Sequence, residues 1–184
     1  IQIGRSGPKK MVTIIDNWLD EETLSILDAV VQGPTKTLDS SGNHVNYYTE
    51  YEWDLVQCDL REHSSKHVLF AKLSKIIGKH IPTDNLEPIQ LFAKQFDKNS
   101  FCAPHTEDPK YYGDWVFMLY LTDEIDGALC TPDMRVLPKR NRLVVMRTGF
   151  EHWVEKCSGT RLNVTGWPFA TAEVRDRWKK QQKQ

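Results

Sequence analysis

The 184-residue sequence has no apolar run of the roughly 18 residues that crossing a bilayer takes, so no transmembrane helix is expected. Its opening, IQIGRSGPKKMVTIID, lacks the apolar core of a secretory signal. Its four cysteines, Cys58, Cys102, Cys130 and Cys157, form no CxxC pair. That spacing disfavours a zinc ribbon or a thioredoxin-type motif, and the cysteines read as reduced thiols of a cytoplasmic protein. Neither sign of charge is in excess: Lys and Arg number 24, Asp and Glu 25, for a formal net charge of -1. A dedicated nucleic-acid binder usually carries a basic surplus, so that partner class is disfavoured. No internal repeat and no low-complexity linker interrupt the chain. What is present is globular in composition, with 40% hydrophobic residues and six Trp. The length suits one domain spanning 1–184.

The chain divides into three stretches. Residues 1–82 hold a short β-branched run, MVTIID (11–16), and two predicted helices. The first follows Asp20, a helix-capping residue, with Leu24, Ile26, Leu27 and Val30 on its apolar side. The second covers roughly 63–80, where Leu69, Leu73, Ile76 and Ile77 recur at helical spacing. YYTEYEW (47–53) reads as a strand or flap. Residues 83–169 change character and give short β-rich runs at 89–96, 101–105, 115–121, 134–138, 142–147, 151–156 and 161–167, separated by turn signals. Residues 170–184 form a basic tail, read as a short helix. The predicted fold is mainly β with supporting α: a double-stranded β-helix, or jelly roll, buttressed by N-terminal helices.

Six histidines occur. His63, His67 and His80 fall on the second predicted helix as surface or packing residues, and His44 lies in a polar loop. His105 is different. It ends a strand, and Glu107 follows two residues later, where side chains of extended backbone share a face. His152 lies on a later strand. Two imidazoles and one carboxylate make the facial set of non-haem Fe(II) oxygenases. The same three ligands also suit zinc. Arg161, nine residues past His152, lies in RLNVTGW, whose Val164 and Trp167 suggest a core-facing strand. A buried arginine needs an anion, and its planar fork matches a carboxylate. A dicarboxylate bridging the metal and Arg161 satisfies both groups.

These residues carry a resemblance. From His105 to Phe169 the chain resembles the catalytic core of the 2-oxoglutarate- and Fe(II)-dependent dioxygenases of the prolyl 4-hydroxylase type. The matching pieces are His105-Thr106-Glu107, Met118-Leu119-Tyr120-Leu121, the turn at Gly127, Arg142-Leu143-Val144-Val145, His152, Arg161 and Trp167. The run from Val12 to Leu19 resembles that family's first strand and helix start. The resemblance implies that His105, Glu107 and His152 hold iron and that Arg161 binds the distal carboxylate of 2-oxoglutarate. It implies a Tyr120 hydroxyl on that carboxylate, and Met118, Cys130, Asn163 and Trp167 as lining of the co-substrate pocket. The implied reaction consumes dioxygen and hydroxylates an unactivated C–H bond while 2-oxoglutarate becomes succinate and carbon dioxide, with ascorbate as a candidate reductant. Prolyl residues of a peptide or protein are the leading substrate, ahead of a small molecule. Residues 43–54 and 109–115 resemble the loops that cover it.

Three departures stand out. The family's carboxylate ligand is usually aspartate, and here it is Glu107, with Asp108 as its neighbour. The central turn reads Gly127-Ala128 rather than paired glycines. Phe96 stands where a tyrosine often precedes the first ligand. Two further readings compete. Arg161-x-Asn163-x-Thr165 resembles the nucleic-acid demethylases of the same superfamily, and the tail carries Arg175, Arg177, Lys179 and Lys180, but Trp167 stands where that group needs a second arginine. A non-catalytic jelly-roll module with a structural metal is the other, and the intact ligand set and Arg161 argue against it.

Overall fold

The structure is a computed structural model that describes residues 12–32, 55–59, 65–77, 90–96, 98, 100–167 and 180. The expected strand or flap at 47–53, the substrate loop at 43–54, His44, His63 and His80 lie outside the described residues. So do the basic tail, apart from Lys180, and the side chain of His67.

The chain begins with strand β1 (Val12–Ile15) and turns into helix α1 (Glu21–Gln32). The Asp20 carboxylate accepts the Thr23 N–H at 2.8 Å, satisfying a donor that the first turn leaves unpaired. Strand β2 (Leu55–Asp59), helix α2 (Ser65–Ile77) and strand β3 (Gln90–Phe96) follow. Then come β4 (Cys102–His105), the single turn α3 (Pro109–Tyr112), β5 (Trp115–Tyr120), β6 (Leu129–Thr131), β7 (Met134–Val136), β8 (Arg142–Arg147), β9 (His152–Val154) and β10 (Arg161–Trp167).

Two antiparallel sheets result. One has the order β1-β8-β5-β10-β3-β2, the other β4-β9-β6-β7. The expected jelly roll with supporting helices is the fold observed. Strand β6 was not anticipated. It is only three residues long, follows Gly127-Ala128 directly and shows no alternation.

Strands β8, β5 and β10 of the larger sheet are buried on both faces, and alternation sorts their side chains between them. Phe117 and Leu119 of β5, Leu143 and Val145 of β8, and Leu162 and Val164 of β10 pack with Leu24, Leu27, Leu69, Phe70 and Leu73 of the two helices. The residues between them, Val116, Met118, Tyr120, Val144 and Met146, face Leu129 and Val136 of the smaller sheet. The helices therefore brace one face and leave the other to form an interior between the sheets. In α1, Leu24 and Leu27 are buried, but Ile26, expected on the same side, is 46% exposed. One residue turns a helix by about 100°, which carries Ile26 off the stripe that Leu24 and Leu27 share.

The helices are tied to the sheet at the β7–β8 turn. Asn141 has φ 61, a left-handed conformation asparagine tolerates. Its side chain accepts the Leu19 N–H at 2.9 Å and donates to the Leu19 carbonyl at 2.8 Å, both buried. Arg140 adds a two-armed pair to Asp28 of α1.

Leu119 is fully buried where sheet and helices meet. Leu119→Ala should destabilise the fold by about 2–5 kcal/mol. Ile26→Ala should shift it by less than about 0.5 kcal/mol. Denaturant midpoints at constant slope check both values.

Candidate active site

Strands β4 and β9 pair with His105 opposite His152 and Cys102 opposite Val154. Three steps along β4 thus match two along β9, a bulge with one extra residue. In a regular strand, residues three apart face opposite sides. The bulge turns Cys102 and His105 to the same side, and the Cys102 Sγ lies 3.2 Å from His105 Nδ1. The imidazoles of His105 and His152 sit with centroids 4.3 Å apart.

Glu107 completes the group. Its Oε1 lies 3.3 Å from His105 Nε2 and 3.2 Å from His152 Nε2. One potential ligand atom from each of the three residues lies within 4.8 Å of the others. Asp108 is directed elsewhere: exposed, it caps α3 by accepting the Lys110 N–H at 2.9 Å.

The outer nitrogens are also held. His105 Nδ1 lies 2.8 Å from the Ala103 carbonyl, and His152 Nδ1 lies 2.9 Å from the Phe150 carbonyl. Each Nδ1–H donates to its carbonyl, which turns Nε2 inward toward Glu107. Burial lowers the His105 pKa, but the contacts with Cys102 and Glu107 outweigh it and raise the group to about 10. Burial raises that of Glu107, but the two imidazoles outweigh it and draw the carboxyl to about 2. A protonated His105 thus pairs with the ionised Glu107. Two inward nitrogens and an ionised carboxylate fit a divalent metal in place of that proton. The second carboxylate oxygen, Glu107 Oε2, is buried with no hydrogen-bond partner.

The trio lines a cavity between the sheets, together with Arg161, Lys94, Phe96, Met118, Asn163 and Trp167. The β3–β10 ladder sets this wall: Arg161 stands opposite Phe96, Asn163 opposite Lys94 and Thr165 opposite Phe92. Arg161 is 3% exposed. Its Nη1 donates to the Gly127 carbonyl at 3.0 Å, and its guanidinium stacks 4.4 Å from the Phe96 ring centroid. Burial lowers its pKa against the pull of Tyr120 and Cys157. Gly127 has φ +70, and a Cβ there would come within 2.8 Å of Cys157 Cβ, so the carbonyl that receives Arg161 requires glycine.

Tyr120 is fully buried beside Met118 and Trp167 in the inter-sheet cluster. Burial raises its pKa, so the hydroxyl keeps its proton. Cys130 does not line the cavity. Its Sγ lies 3.4 Å from Glu155 Oε1, on a carboxylate that also pairs with Arg135. The three-residue strand β6 fixes this outcome, because alternation there sends Leu129 inward and Cys130 outward.

Lys94 escaped the sequence reading. It is 8% exposed, with its ammonium 5.7 Å from the ring centroids of Phe92 and Trp167. Burial lowers its pKa to about 8, with Glu107 and Cys102 opposing and Arg161 reinforcing the shift. The only sequence signal is its place in a strand, between Phe92 and Phe96 on one face of the alternation.

Among the described residues, four buried side-chain N or O atoms lack a hydrogen-bond partner: Glu107 Oε2, Tyr120 Oη, Arg161 Nε and Trp167 Nε1. All four belong to residues of the expected site. Such orphans each cost about 1–3 kcal/mol, and three of the four belong to residues that line the cavity, Glu107, Arg161 and Trp167, while Tyr120 is not among the lining residues.

The fold and the site together define a double-stranded β-helix with a His-x-Glu…His centre and a buried arginine. Solved structures share this fold. A Pseudomonas putida prolyl-4-hydroxylase aligns over 88% of this chain and 93% of its own, with 17% identity and a TM-score of 0.64. A viral collagen prolyl hydroxylase from Paramecium Bursaria Chlorella virus-1, solved as a 2-oxoglutarate complex, aligns over 88% and 97%, with 14% identity and a TM-score of 0.61. A Trichoplax adhaerens prolyl hydroxylase, in complex with a peptide fragment of the hypoxia inducible factor oxygen degradation domain, aligns over 94% and 87%, with 13% identity and a TM-score of 0.66. The chain has the prolyl hydroxylase fold. No protein-family model and no curated protein matches its sequence.

Because metal replaces a proton at His105, uptake of Mn(II) near pH 7.5 should release protons, and apparent affinity should rise as pH climbs toward about 10. Titration calorimetry in buffers of different ionisation enthalpy measures the release. Glu107→Ala should weaken metal binding by at least about 100-fold, and Asp108→Ala should leave it unchanged.

Proposed function

We propose that this chain is a 2-oxoglutarate- and Fe(II)-dependent dioxygenase that hydroxylates an unactivated C–H bond. The supporting observation is that three residues with orphaned buried polar atoms, Glu107, Arg161 and Trp167, line one cavity together with the imidazoles of His105 and His152. His105, Glu107 and His152 would hold Fe(II). When bound, the metal supplies the oxidising chemistry that joins dioxygen, the decarboxylation of 2-oxoglutarate to succinate and the attack on carbon.

The chain's own residues bind, orient and exclude water. Arg161 offers its free Nε edge to the distal carboxylate, held in place by the Gly127 carbonyl and the Phe96 ring. Tyr120 keeps its proton and donates to the same carboxylate. Met118, Asn163 and Trp167 shape the wall. Val116, Leu129 and Val154 line the cavity with apolar surface and keep water from the reacting atoms.

A peptide or protein bearing a prolyl residue is the leading substrate. The Trichoplax neighbour supports the peptide class, since it was solved with a peptide fragment. The rim also supports it. Residues 109–112 of the expected covering loop form α3, which begins two residues after Glu107. A Cβ added at Gly149 would lie 3.6 Å from Pro109 Cγ, so the turn before β9 runs beside α3. Tyr111 of α3 and Phe150, next to Gly149, are 40% and 38% exposed and present rings to solvent. Trp167 weighs against the demethylase reading: its ring faces the cavity and packs 5.4 Å from Tyr112, where that group needs an arginine.

Succinate formation with Fe(II), ascorbate and 2-oxoglutarate tests the activity, and a screen of proline-containing peptides by mass gain tests the substrate. Arg161→Ala should raise the 2-oxoglutarate dissociation constant at least about 30-fold, in line with loss of a buried charged pair, and leave metal affinity unchanged. Absence of both succinate formation and 2-oxoglutarate binding would overturn the reading.

A further inference from the structure

His105 and His152 stand opposite each other in the β4–β9 ladder, so backbone pairing sets their spacing. Glu107 has no such support. Strand β4 ends at His105, and residues 106–108 belong to no strand or helix. The Glu107 carboxylate nevertheless sits 3.2 Å from His152 Nε2. Its place must be fixed by the segment that follows it.

That segment is a crossover. It leaves the smaller sheet at β4, forms α3 and enters the larger sheet at β5. A second crossover, residues 148–151, runs from β8 of the larger sheet to β9 of the smaller. Each has a residue of the trio at its small-sheet end, Glu107 in the first and His152 just after the second. The β5–β8 ladder ends with Trp115 opposite Arg147, which brings the two crossovers side by side. One step further, the Thr148 N–H donates to the Asp114 carbonyl at 3.2 Å. The Thr148 hydroxyl donates to the Gly113 carbonyl at 2.5 Å, and Thr148 is fully buried. The crossovers stay close as far as Gly149, where an added Cβ would lie 3.6 Å from Pro109 Cγ.

Gly113 is the C-cap of α3, and its own N–H closes that turn on the Pro109 carbonyl at 3.0 Å. A one-turn helix has little stability of its own, so contacts at its ends decide where it sits. On the far side of the Thr148 tie, the Phe150 carbonyl receives the His152 Nδ1 proton.

We propose that Thr148 is a positioning residue for the metal centre. Its hydroxyl ties the crossover that carries Glu107 to the one that leads into His152, and so sets the distance between these two ligands. The inference rests on the Fe(II) reading of the trio and adds to it a residue that does not line the cavity.

The hydroxyl can be separated from the shape. Thr148→Val keeps the volume and the branching and leaves the buried Gly113 carbonyl without this donor. Thr148→Ser keeps the donor and drops a methyl. Each is read by Mn(II) titration calorimetry, by the visible absorption of the Co(II)-loaded protein, which reports ligand number and geometry, and by the thermal midpoint without metal. Thr148→Val should weaken Mn(II) binding by about tenfold or more, the range for outer partners of metal ligands, and should alter the Co(II) bands. Thr148→Ser should stay within about twofold of the unsubstituted protein and keep its bands. Leu119→Ala softens the fold from the helix-facing side, so it should lower the midpoint and keep the bands. Thr148→Cys, a weaker donor of similar size, replaces the valine variant should that one not fold, and should lose about threefold or more. Unchanged Mn(II) affinity and unchanged bands in a folded valine or cysteine variant overturn the inference. So does an equal loss in Thr148→Ser, or an equal band shift in Leu119→Ala. Failure of the unsubstituted protein to bind Mn(II) or Co(II) removes the Fe(II) reading and this role together, whereas a metal-binding protein indifferent to Thr148→Val loses this role alone.

Discussion

Burial of strand β10 on both faces is the constraint on which the rest of the structure depends. All seven of its residues are buried. Such a strand must satisfy two environments at once, and alternation lets it do so. Leu162 and Val164 enter the helix-facing core, while Arg161, Asn163, Thr165 and Trp167 line the cavity between the sheets. Its neighbours β3 and β5 repeat the division. The helices are therefore part of the site in an indirect sense. They bury the far face of the strands, which keeps the near face rigid enough to hold a cationic side chain away from water.

The cavity holds polar groups that the fold alone does not satisfy. Leaving atoms such as Arg161 Nε and Glu107 Oε2 unpaired costs free energy, and the apolar packing on the opposite side of the sheet offsets that cost. The geometry is fixed by backbone at several points. The β4 bulge aims His105, the Ala103 and Phe150 carbonyls aim the imidazoles, and the Gly127 carbonyl aims Arg161. Little side-chain reordering is then left for ligand binding, which is what preorganisation means physically.

Much of this was legible in the sequence, for reasons that differ by element. β8 and β10 carry continuous apolar or alternating runs between clear turn signals, and their bounds were read as observed. The His-x-Glu spacing pointed to a shared face, and the structure brings those groups together with His152 and Arg161. Three features were hidden. β6 is too short to show a period. The outward turn of Cys130 depends on that strand's register. Lys94 looks like the solvent-facing member of an alternating strand, and only the second sheet, packed over β3, reveals that this face is interior. Local pattern reports which residues share a side, but not what covers that side.

Phe150 belongs to two surfaces at once. Its side chain stands partly in solvent, and its carbonyl oxygen receives the Nδ1 proton of His152. A substitution there that keeps the backbone in place alters only what the surface presents. One that shifts the turn also tilts an imidazole in the centre. The backbone at this position is thus tied to the orientation of a buried imidazole, and the residue is less free to vary than its exposure alone would imply.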